Sequence, residues 1–258
     1  MFVFKDLFSP LKRCLIDCRD TRLDKTLHRT EFSKQGVING LISFILDLFF
    51  PIQCFGCGKE GKWICSGCIG KIKINSEVID FSEKQSQLSG LFVASDYRQD
   101  LLKSALKAFK YNFASSVGYD LSELLLIFLR QASIAERFSR FDLVIPVPLT
   151  KKRNLWRGFN QSEILAGEVC AEFSWSLGLN VLGRKSNVRP QVGLNAKERL
   201  ANVRGVFYLK NANLLKGRII LLIDDVFTTG ATMQECAKIL KQGGAVSVWG
   251  LVLAKNQA

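Results

Sequence analysis

The C-terminal two-thirds of the chain alternate between short apolar runs and segments with one apolar face. Apolar runs of strand length predict strands at 91–95, 142–147, 205–210, 218–223 and 245–254. Segments with apolar residues at i, i+3, i+4 and i+7 predict helices at 99–110, 121–130, 161–173 and 232–242. Apolar strands that alternate with helices indicate an α/β fold with a mostly parallel sheet flanked by helices.

The N-terminal third is organised differently. Residues 1–36 are mixed in charge and lack a regular period, so we expect a poorly ordered extension. An apolar helix is predicted at 37–50, but it contains Asn39 and Asp47 and is too short to span a bilayer. It leads into a cysteine-rich segment that ends near residue 74. The polar stretch 75–90 is interpreted as a linker, and 91–258 as the main domain.

The most informative run follows the predicted strand at 218–223. Its residues are Asp224, Asp225, Val226, Phe227, Thr228, Thr229, Gly230, Ala231 and Thr232. The start of the next helix offers unpaired N–H groups and a positive dipole end, which favour phosphate. Threonine hydroxyls add donors, and Gly230 allows close approach of the backbone. The adjacent carboxylates suit a ribose diol or a Mg2+ ion.

A strand followed by a capped helix explains one Asp or one Thr of this run, but not the whole pattern. The run therefore predicts a sugar-phosphate site. Because ligands of parallel sheets bind beyond the carboxyl ends of the strands, the site is expected at that edge.

Two basic segments could complete this site. Lys151, Lys152 and Arg153 are predicted to form a loop after the strand at 142–147, followed by Arg157 and Gly158. This loop could receive a pyrophosphate group, although a solvated loop before a helix would have the same composition. The second segment, 184–207, contains four arginines and is a basic, mobile-looking stretch when taken alone.

Four cysteines form two Cys-x-x-Cys pairs separated by seven residues: Cys54, Cys57, Cys65 and Cys68. Two such turns supply the four thiolates that tetrahedral Zn2+ requires, so the spacing predicts a structural zinc finger. A redox pair and an iron–sulfur cluster are the alternatives. With four protein ligands, no position at the metal would stay open for catalysis.

Composition adds a strong basic balance. The chain has 36 Lys and Arg against 23 Asp and Glu, a formal net charge of +13. This balance favours an anionic partner such as phosphate, nucleic acid or an acidic membrane surface, although it also suits a solvated surface. No secretory signal is visible, so the expected compartment is the cytoplasm, including a peripheral position at the inner face of the membrane.

In combination and order, these elements resemble the ComF family of bacterial phosphoribosyltransferase-like proteins. The resemblance covers residues 37–255. It rests on the apolar helix before the four-cysteine knuckle, the Pro-x-Pro to Arg-Gly-Phe-Asn-Gln segment, the Arg-Pro-Gln segment and the Asp-Asp-Val-Phe-Thr-Thr-Gly-Ala-Thr run. The chain departs from the family at Asn187-Val188-Arg189, where a threonine is common.

The resemblance implies a type I phosphoribosyltransferase domain behind a zinc finger. Asp224 and Asp225 would match the carboxylates that hold the ribose diol, and Thr228 to Thr232 would match the 5′-phosphate cradle. The implied ligand is phosphoribosyl pyrophosphate with Mg2+. The family is also associated with natural transformation, which implies single-stranded DNA and DNA-uptake proteins as partners.

Two functions follow from these features. The first is a protein that binds phosphoribosyl pyrophosphate and acts in DNA uptake through handling of single-stranded DNA, with Trp156 and Phe159 as candidates for base stacking. The alternative is an active phosphoribosyltransferase of nucleotide metabolism. In that case a carboxylate would stabilise positive charge on the ribose while an unidentified nitrogen attacks C1′.

Overall fold

The computed structural model of the chain describes residues 51–81, 86–111, 115–131, 133–135, 141–185 and 203–256. The chain divides into two units, Met1–Pro51 and Ile52–Ala258, and the fold described below is that of the second. The predicted extension 1–36, the predicted helix 37–50 and most of the basic segment 184–207 lie outside the described residues.

A five-stranded sheet with the order β1-β2-β7-β6-β3 is the centre of this unit. Its strands are β1 (Val78–Asp80), β2 (Gly90–Asp96), β3 (Leu143–Pro146), β6 (Ile219–Phe227) and β7 (Ser247–Lys255). Strands β2, β7, β6 and β3 are parallel, and β1 is antiparallel to β2. A small antiparallel pair, β4 (Leu182–Arg184) and β5 (Phe207–Leu209), lies apart from it. The predicted, mostly parallel α/β sheet is therefore confirmed.

Helices cover both faces of the sheet. They are α1 (Ser66–Ile69), α2 (Asp100–Tyr111), α3 (Val117–Leu129), α4 (Lys151–Arg157), α5 (Gln161–Phe173) and α6 (Ala231–Gln242). One core cluster joins α2, α3 and α5 to one face through residues such as Phe92 and Leu251. The other joins α6 and the β4–β5 pair to the opposite face through residues such as Leu222 and Val248. These fully buried apolar side chains supply the main driving force for the fold.

The structure differs from the predicted elements at three places that bear on the site. Strand β6 continues to Phe227 instead of ending at Ile223, because its last residues still pair with β7. The basic stretch predicted as a loop is helix α4, which begins after Thr150, whose side chain accepts a hydrogen bond from the N–H of Arg153. The stretch 75–90, interpreted as a linker, contributes strand β1 to the main sheet.

The cysteine knuckle belongs to the same unit as the sheet. Cys54, Ile64, Cys68 and Ile69 are buried in the core cluster that contains α2 and α3. Among the helices of the described ranges, none has the length and apolar character needed to cross a bilayer.

Candidate functional site

The loop between β6 and α6 forms a small cavity at the carboxyl edge of the sheet. Its lining comprises Asp224, Val226, Phe227, Thr228, Thr229, Gly230, Ala231, Thr232 and Met233. Thr228 is exposed and Thr229 is half-buried. The N–H groups of the first turn of α6 have no partner within the helix, so this loop has the donors and the dipole that an anion requires.

Gly230 is required in this loop for two reasons. Its φ of 76° lies in the left-handed region, where residues with a side chain are strained. In addition, a Cβ atom at this position would lie 2.4 Å from Cζ of Phe227. The tight turn from β6 into α6 therefore depends on the glycine.

The two adjacent carboxylates have different partners. Asp225 is buried, and its Oδ1 forms an ion pair of 3.0 Å with Nζ of Lys110, in the last turn of α2. Oδ1 of Asp224 accepts hydrogen bonds from the hydroxyl of Ser162 (3.0 Å) and from the N–H of Asp225 (2.9 Å). The second oxygen of each carboxylate has no partner among the described residues. Both Oδ2 atoms are thus available to a ligand.

Asp224 is also electrostatically unusual. Burial, together with the negative charge of Asp225, raises the pKa of the Asp224 carboxyl to about 7. Lys110, Ser162 and the N–H of Asp225 lower the pKa of Asp224, but they offset the effect of burial only in part. A carboxyl group with a pKa near neutrality at a cleft is typical of a functional site.

Arg157 lies under the same site. Its side chain is only 9% exposed, its Nη1 donates to Oε1 of Gln161 (2.9 Å), and its guanidinium carbon is 5.7 Å from the centre of the Tyr111 ring. Its Nε–H has no hydrogen-bond partner in the described part of the chain. Burial and the charge of Arg153 lower the pKa of Arg157, whereas Asp225 raises it. A buried donor without a partner indicates a place where an anion could bind.

The remaining basic residues of this segment lie on or next to helix α4. Lys151, Lys152 and Arg153 are exposed there, and the helix ends at Gly158, which has a φ of 79°. The following residue, Phe159, stacks on Phe109, with ring centres 5.6 Å apart. The aromatic rings of Trp156 and Tyr111 contact each other edge to face at 6.3 Å, and each residue is at least half exposed. A cationic surface with exposed rings therefore lies beside the acid pair.

The Arg157–Gln161 segment and the Asp224–Thr232 segment meet through helix α5. Asn160 is the N-cap of α5, and its side chain accepts a hydrogen bond from the N–H of Ser162. Ser162 in turn donates to Asp224. The structure thus brings the two predicted segments together, through a serine that the sequence analysis did not single out.

Lys110 was also missed by the sequence analysis, whereas Arg184 is the first residue of the basic segment 184–207 that it named. Lys110 is in the last turn of α2, where the helix dipole favours a basic residue, and this position alone gives no sign of its ion pair with Asp225. Arg184 is at the end of β4, with its guanidinium 5.1 Å from the centre of the Phe207 ring, and its Nε has no partner among the described residues. Residues 186–202, which follow it, are outside the described ranges.

The side chains of the four cysteines lie close together. The sulfur atoms of Cys54, Cys57, Cys65 and Cys68 all lie within 4.8 Å of one another, and those of Cys57 and Cys65 are 3.6 Å apart. Tetrahedral Zn2+ with Zn–S bonds of about 2.3 Å requires sulfur separations of about 3.8 Å, so the four positions fit this ion. All four ligands come from the protein, which is typical of a structural site.

Backbone N–H groups donate hydrogen bonds to one sulfur of the cysteine knuckle. Cys54 accepts N–H bonds from Cys65 (3.3 Å) and Gly56 (3.5 Å). Burial raises the pKa of the Cys54 thiol, but these N–H groups and that of Cys57 outweigh burial and lower it to about 6. The thiolate of Cys54, the form that binds metal, is therefore favoured, whereas hydrogen bonding with Cys65 and burial raise the pKa of the Cys68 thiol to about 12.

Helix α3 holds the other side of the knuckle. Oδ2 of Asp120, in the first turn of α3, accepts the N–H groups of Trp63 (2.8 Å) and Ile64 (3.1 Å). The indole N–H of Trp63 donates to the hydroxyl oxygen of Ser116 (2.9 Å). The residues directly before Cys65 are therefore fixed to the main domain.

The acid pair also suits Mg2+ in its donor chemistry. Mg2+ prefers oxygen ligands and keeps several of its waters, so it is commonly held by one or two carboxylates together with substrate phosphates. The Oδ2 atoms of Asp224 and Asp225, near the end of β6, provide such oxygens.

The fold and this site together define a phosphoribosyltransferase domain of type I. The sequence model for "Phosphoribosyl transferase domain" matches residues 160–258, which include Ser162, the acid pair and the β6–α6 loop. The chain belongs to the ComF family within that superfamily.

The family assignment rests on several curated relatives. "Competence protein F" of Haemophilus influenzae is 29% identical over 228 residues, which cover 80% of this chain and 99% of the relative. "DNA utilization protein YhgH" of Escherichia coli K12 is 31% identical over 62% of this chain and 70% of the relative. "Competence protein ComFC" of Bacillus subtilis is 30% identical over 61% of each chain.

Among solved structures, a glutamine phosphoribosylpyrophosphate amidotransferase from B. subtilis is similar over 53% of this chain and 26% of its own. The two chains are 17% identical, with a TM-score of 0.37.

Proposed function

We propose that the chain binds phosphoribosyl pyrophosphate together with Mg2+ and acts in DNA uptake through the handling of single-stranded DNA. The observation that carries the proposal is the position of Asp224 and Asp225, each with one available oxygen, immediately before the anion-binding start of α6. A phosphorylated ribose fits both parts, since its phosphate needs N–H donors and its diol needs acceptors.

Each part of the ligand then has a partner. The 5′-phosphate binds the start of α6 and the hydroxyl groups of Thr228, Thr229 and Thr232, next to Val226, Phe227 and Ala231. The 2′- and 3′-hydroxyls donate to Asp224 and Asp225. The pyrophosphate group, with its Mg2+, lies towards Arg157, Gly158 and the cations of α4, Lys152 and Arg153. Arg157 supplies the buried donor for this end.

The DNA part of the proposal is supported by the surface beside this pocket. Three exposed cations of α4 lie near the exposed rings of Trp156 and Tyr111. Single strands bind such surfaces through their phosphates and by base stacking. Two of the relatives are called competence proteins and others are called DNA utilization proteins, which supports DNA-uptake proteins as partners and a cytoplasmic site of action, including the inner face of the membrane.

A second candidate function is catalysis of phosphoribosyl transfer to a nitrogen acceptor. It is favoured by the acid pair, because carboxylates fixed beside the ribose stabilise the positive charge that develops as pyrophosphate leaves. In this case the pocket both binds the phosphoribosyl donor and lowers the barrier.

Calorimetric titration of phosphoribosyl pyrophosphate with Mg2+ tests the pocket. We expect the wild-type protein to bind, and Asp224→Asn together with Asp225→Asn to weaken binding at least about tenfold, because neutral amides lose charge-assisted hydrogen bonds. Thr229→Ser, which keeps the hydroxyl, is the matched control. No binding by a folded wild-type protein would contradict the proposal.

The DNA surface is tested by the salt dependence of binding to a single-stranded oligonucleotide. Charge reversal at Lys152 and Arg153 is expected to weaken binding and to reduce the slope of log affinity against log salt. The matched control reverses the exposed Lys216, in the turn before β6, and the exposed Lys238, in the second half of α6; neither residue is on α4. Equal losses in both double variants would indicate an unspecific charge effect and count against the α4 surface.

A further inference from the structure

Helix α4 is attached to the domain in an unusual way. Six of its seven residues are exposed, and Arg157 is the one that is buried. A surface helix normally packs an apolar stripe on the core, but the apolar side chains of α4, Leu155 and Trp156, are 78% and 50% exposed. Packing therefore does not account for the composition of α4, whereas a binding role for its exposed side chains does.

The buried end of α4 belongs to a group of three arginines. Arg153 is four residues before Arg157, so the two share one face of the helix, and the side chain of Arg157 leans towards Arg153. Burial is the main cause that lowers the pKa of Arg157 and also that of Arg184, and the charge of Arg153 is the second cause in both cases. Arg153 therefore lies near both other guanidinium groups, and we call the three residues the arginine cluster.

The arginine cluster has more donors and more positive charge than its surroundings satisfy. The Nε–H groups of Arg157 and Arg184 are buried and have no hydrogen-bond partner in the described ranges, and Arg153 forms no ion pair there. The carboxylates that interact with these arginines are those of the acid pair, and one of them is already paired with Lys110. A cluster of this kind is suited to a phosphate-type anion, which accepts several charge-assisted hydrogen bonds.

Aromatic rings connect the arginine cluster to the surface proposed for DNA. The ring of Tyr111 lies 5.7 Å from the guanidinium carbon of Arg157 and 6.3 Å, centre to centre, from the ring of Trp156. Trp156 is four residues after Lys152, on the face of α4 next to that of Arg153. A single strand that stacks a base on Trp156 or Tyr111 therefore has its backbone phosphates beside the arginine cluster.

We propose that the arginine cluster is a single anion site for which single-stranded DNA and phosphoribosyl pyrophosphate compete. The proposal rests on the proposed function, which places a pyrophosphate group at Arg157 and a DNA strand on α4. One set of guanidinium groups satisfies the phosphates of one ligand at a time, and two polyanions held side by side in a partly buried place repel each other with little screening by salt. Binding of phosphoribosyl pyrophosphate with Mg2+ therefore displaces the strand, and the concentration of this ligand sets the fraction of the protein that holds DNA.

The test is a competition experiment on the full chain. The apparent dissociation constant of a fluorescently labelled oligothymidylate is measured at constant ionic strength while phosphoribosyl pyrophosphate with Mg2+ is added. For one shared site this constant rises linearly with the free ligand, to about elevenfold when the ligand is at about ten times its own Kd, which calorimetry gives independently. Inorganic pyrophosphate with Mg2+, which contains only the shared end of the ligand, is expected to compete as well. Ribose 5-phosphate, which lacks that end, should change the oligonucleotide affinity by less than about twofold.

Protein variants locate the competition. Arg153→Met is at an exposed position, so the fold should be unaffected, and we expect it to weaken the binding of both ligands about three- to tenfold. Lys238→Met, at an exposed position in the second half of α6, is the matched control and should bind both ligands as the wild type does. Asp224→Asn together with Asp225→Asn should still bind the oligonucleotide, while phosphoribosyl pyrophosphate no longer displaces it.

The possible outcomes separate this inference from the proposed function. If both ligands bind and phosphoribosyl pyrophosphate leaves the oligonucleotide affinity unchanged, the shared site is refuted, while the donor pocket and the DNA surface both stand. If ribose 5-phosphate displaces the strand as well as phosphoribosyl pyrophosphate does, the two sites interact indirectly and the shared site is again refuted. If either phosphoribosyl pyrophosphate or the oligonucleotide fails to bind to the wild type, the proposed function and the shared site fail together.

Discussion

Ser162 donates a hydrogen bond of 3.0 Å to Oδ1 of Asp224, and this contact joins two segments that are 62 residues apart in the chain. Ser162 is in the first turn of α5, directly after the Arg157–Gln161 segment, and Asp224 is near the end of β6. The bond fixes one oxygen of the carboxylate and so orients the other. The proposed ribose site therefore depends on a residue that does not contact the ligand itself.

Replacement of Ser162 by alanine tests this dependence. We expect affinity for phosphoribosyl pyrophosphate to fall about three- to tenfold, because one hydrogen bond to a charged group contributes about 1 kcal/mol or more. Ser122→Ala removes a buried serine that bonds only within α3 and is the matched control. Both variants should lose similar stability in urea, and only Ser162→Ala should lose affinity; equal affinities would show that Asp224 is oriented without the serine.

Lys110 is expected to contribute more to the stability of the fold than an exposed lysine. Lys110→Met leaves the buried carboxylate of Asp225 without its cation, which is expected to destabilise the fold by about 1–3 kcal/mol. Urea denaturation measures this change. Lys103→Met, on an exposed position of the same helix, is the control. Adding Asp225→Asn to Lys110→Met should recover part of the lost stability, and a double variant no more stable than the single one would speak against the ion pair.

The stability of the wild-type protein should respond to pH through Asp224. Its pKa is raised from an ordinary 3.8 to about 7 in the folded state. Between these values the folded protein binds more protons at this carboxyl than the unfolded chain, so its contribution to stability is lost as pH rises from about 4 to 7. Asp224→Asn cannot titrate. Measured by urea denaturation, the stability difference between this variant and wild type should shift towards the variant from pH 5 to pH 8; a constant difference would exclude the raised pKa.

Gly230→Ala should distort the turn between β6 and α6 directly. The φ of 76° and the 2.4 Å approach to the Phe227 ring are both incompatible with a methyl group. We expect a loss of about 1–3 kcal/mol in stability and of phosphoribosyl pyrophosphate binding. Gly167→Ala is the control, since this helical glycine has open space at its Cβ position and alanine should stabilise it by about 0.5–1 kcal/mol. Unchanged binding of phosphoribosyl pyrophosphate by Gly230→Ala would contradict this prediction, because it would mean that the turn accommodates the methyl group.

Removal of metal from the knuckle should affect the whole unit. Because Cys54 and Cys68 lie in the core shared with α2 and α3, a chelator is expected to lower the melting temperature of the domain in one cooperative transition. Metal analysis of the purified protein should give one Zn2+ per chain, and Cys57→Ser should reduce it. A separate low-temperature transition for the knuckle would contradict its integration into the core.

The sequence was sufficient for the strand–helix alternation and for selecting the run from Asp224 to Thr232 as a candidate site, because both are encoded locally. Apolar runs determine the strands, and the run from Asp224 to Thr232 contains the carboxylates, hydroxyl groups and glycine that identify it as a candidate site. The two elements that the sequence analysis assigned differently from the structure, β1 and α4, also have local causes. The stretch around β1 is polar because an edge strand is half exposed, so its composition favoured a linker. Helix α4 was not predicted because its first three residues are cations, a composition that is also typical of a solvated loop. The N-cap residue Thr150 directly before them was not recognised as a helix start.

The sequence analysis missed two residues of the site for a different reason. Lys110 and Ser162 reach the acid pair only through tertiary contacts from α2 and α5. Their local sequence gives no sign of this, since a lysine on a polar helix face and a serine after an N-cap are ordinary residues.

The shared core of the knuckle and the main domain limits how this protein can be divided. Asp120 holds the backbone before Cys65, and Ile64 and Ile69 fill space between α2 and α3. A truncated chain that begins after residue 74 would expose the apolar sides of these helices and would be prone to aggregate. The knuckle is therefore not a module that could be transplanted on its own, and replacing its cysteines would require this part of the core to be repacked.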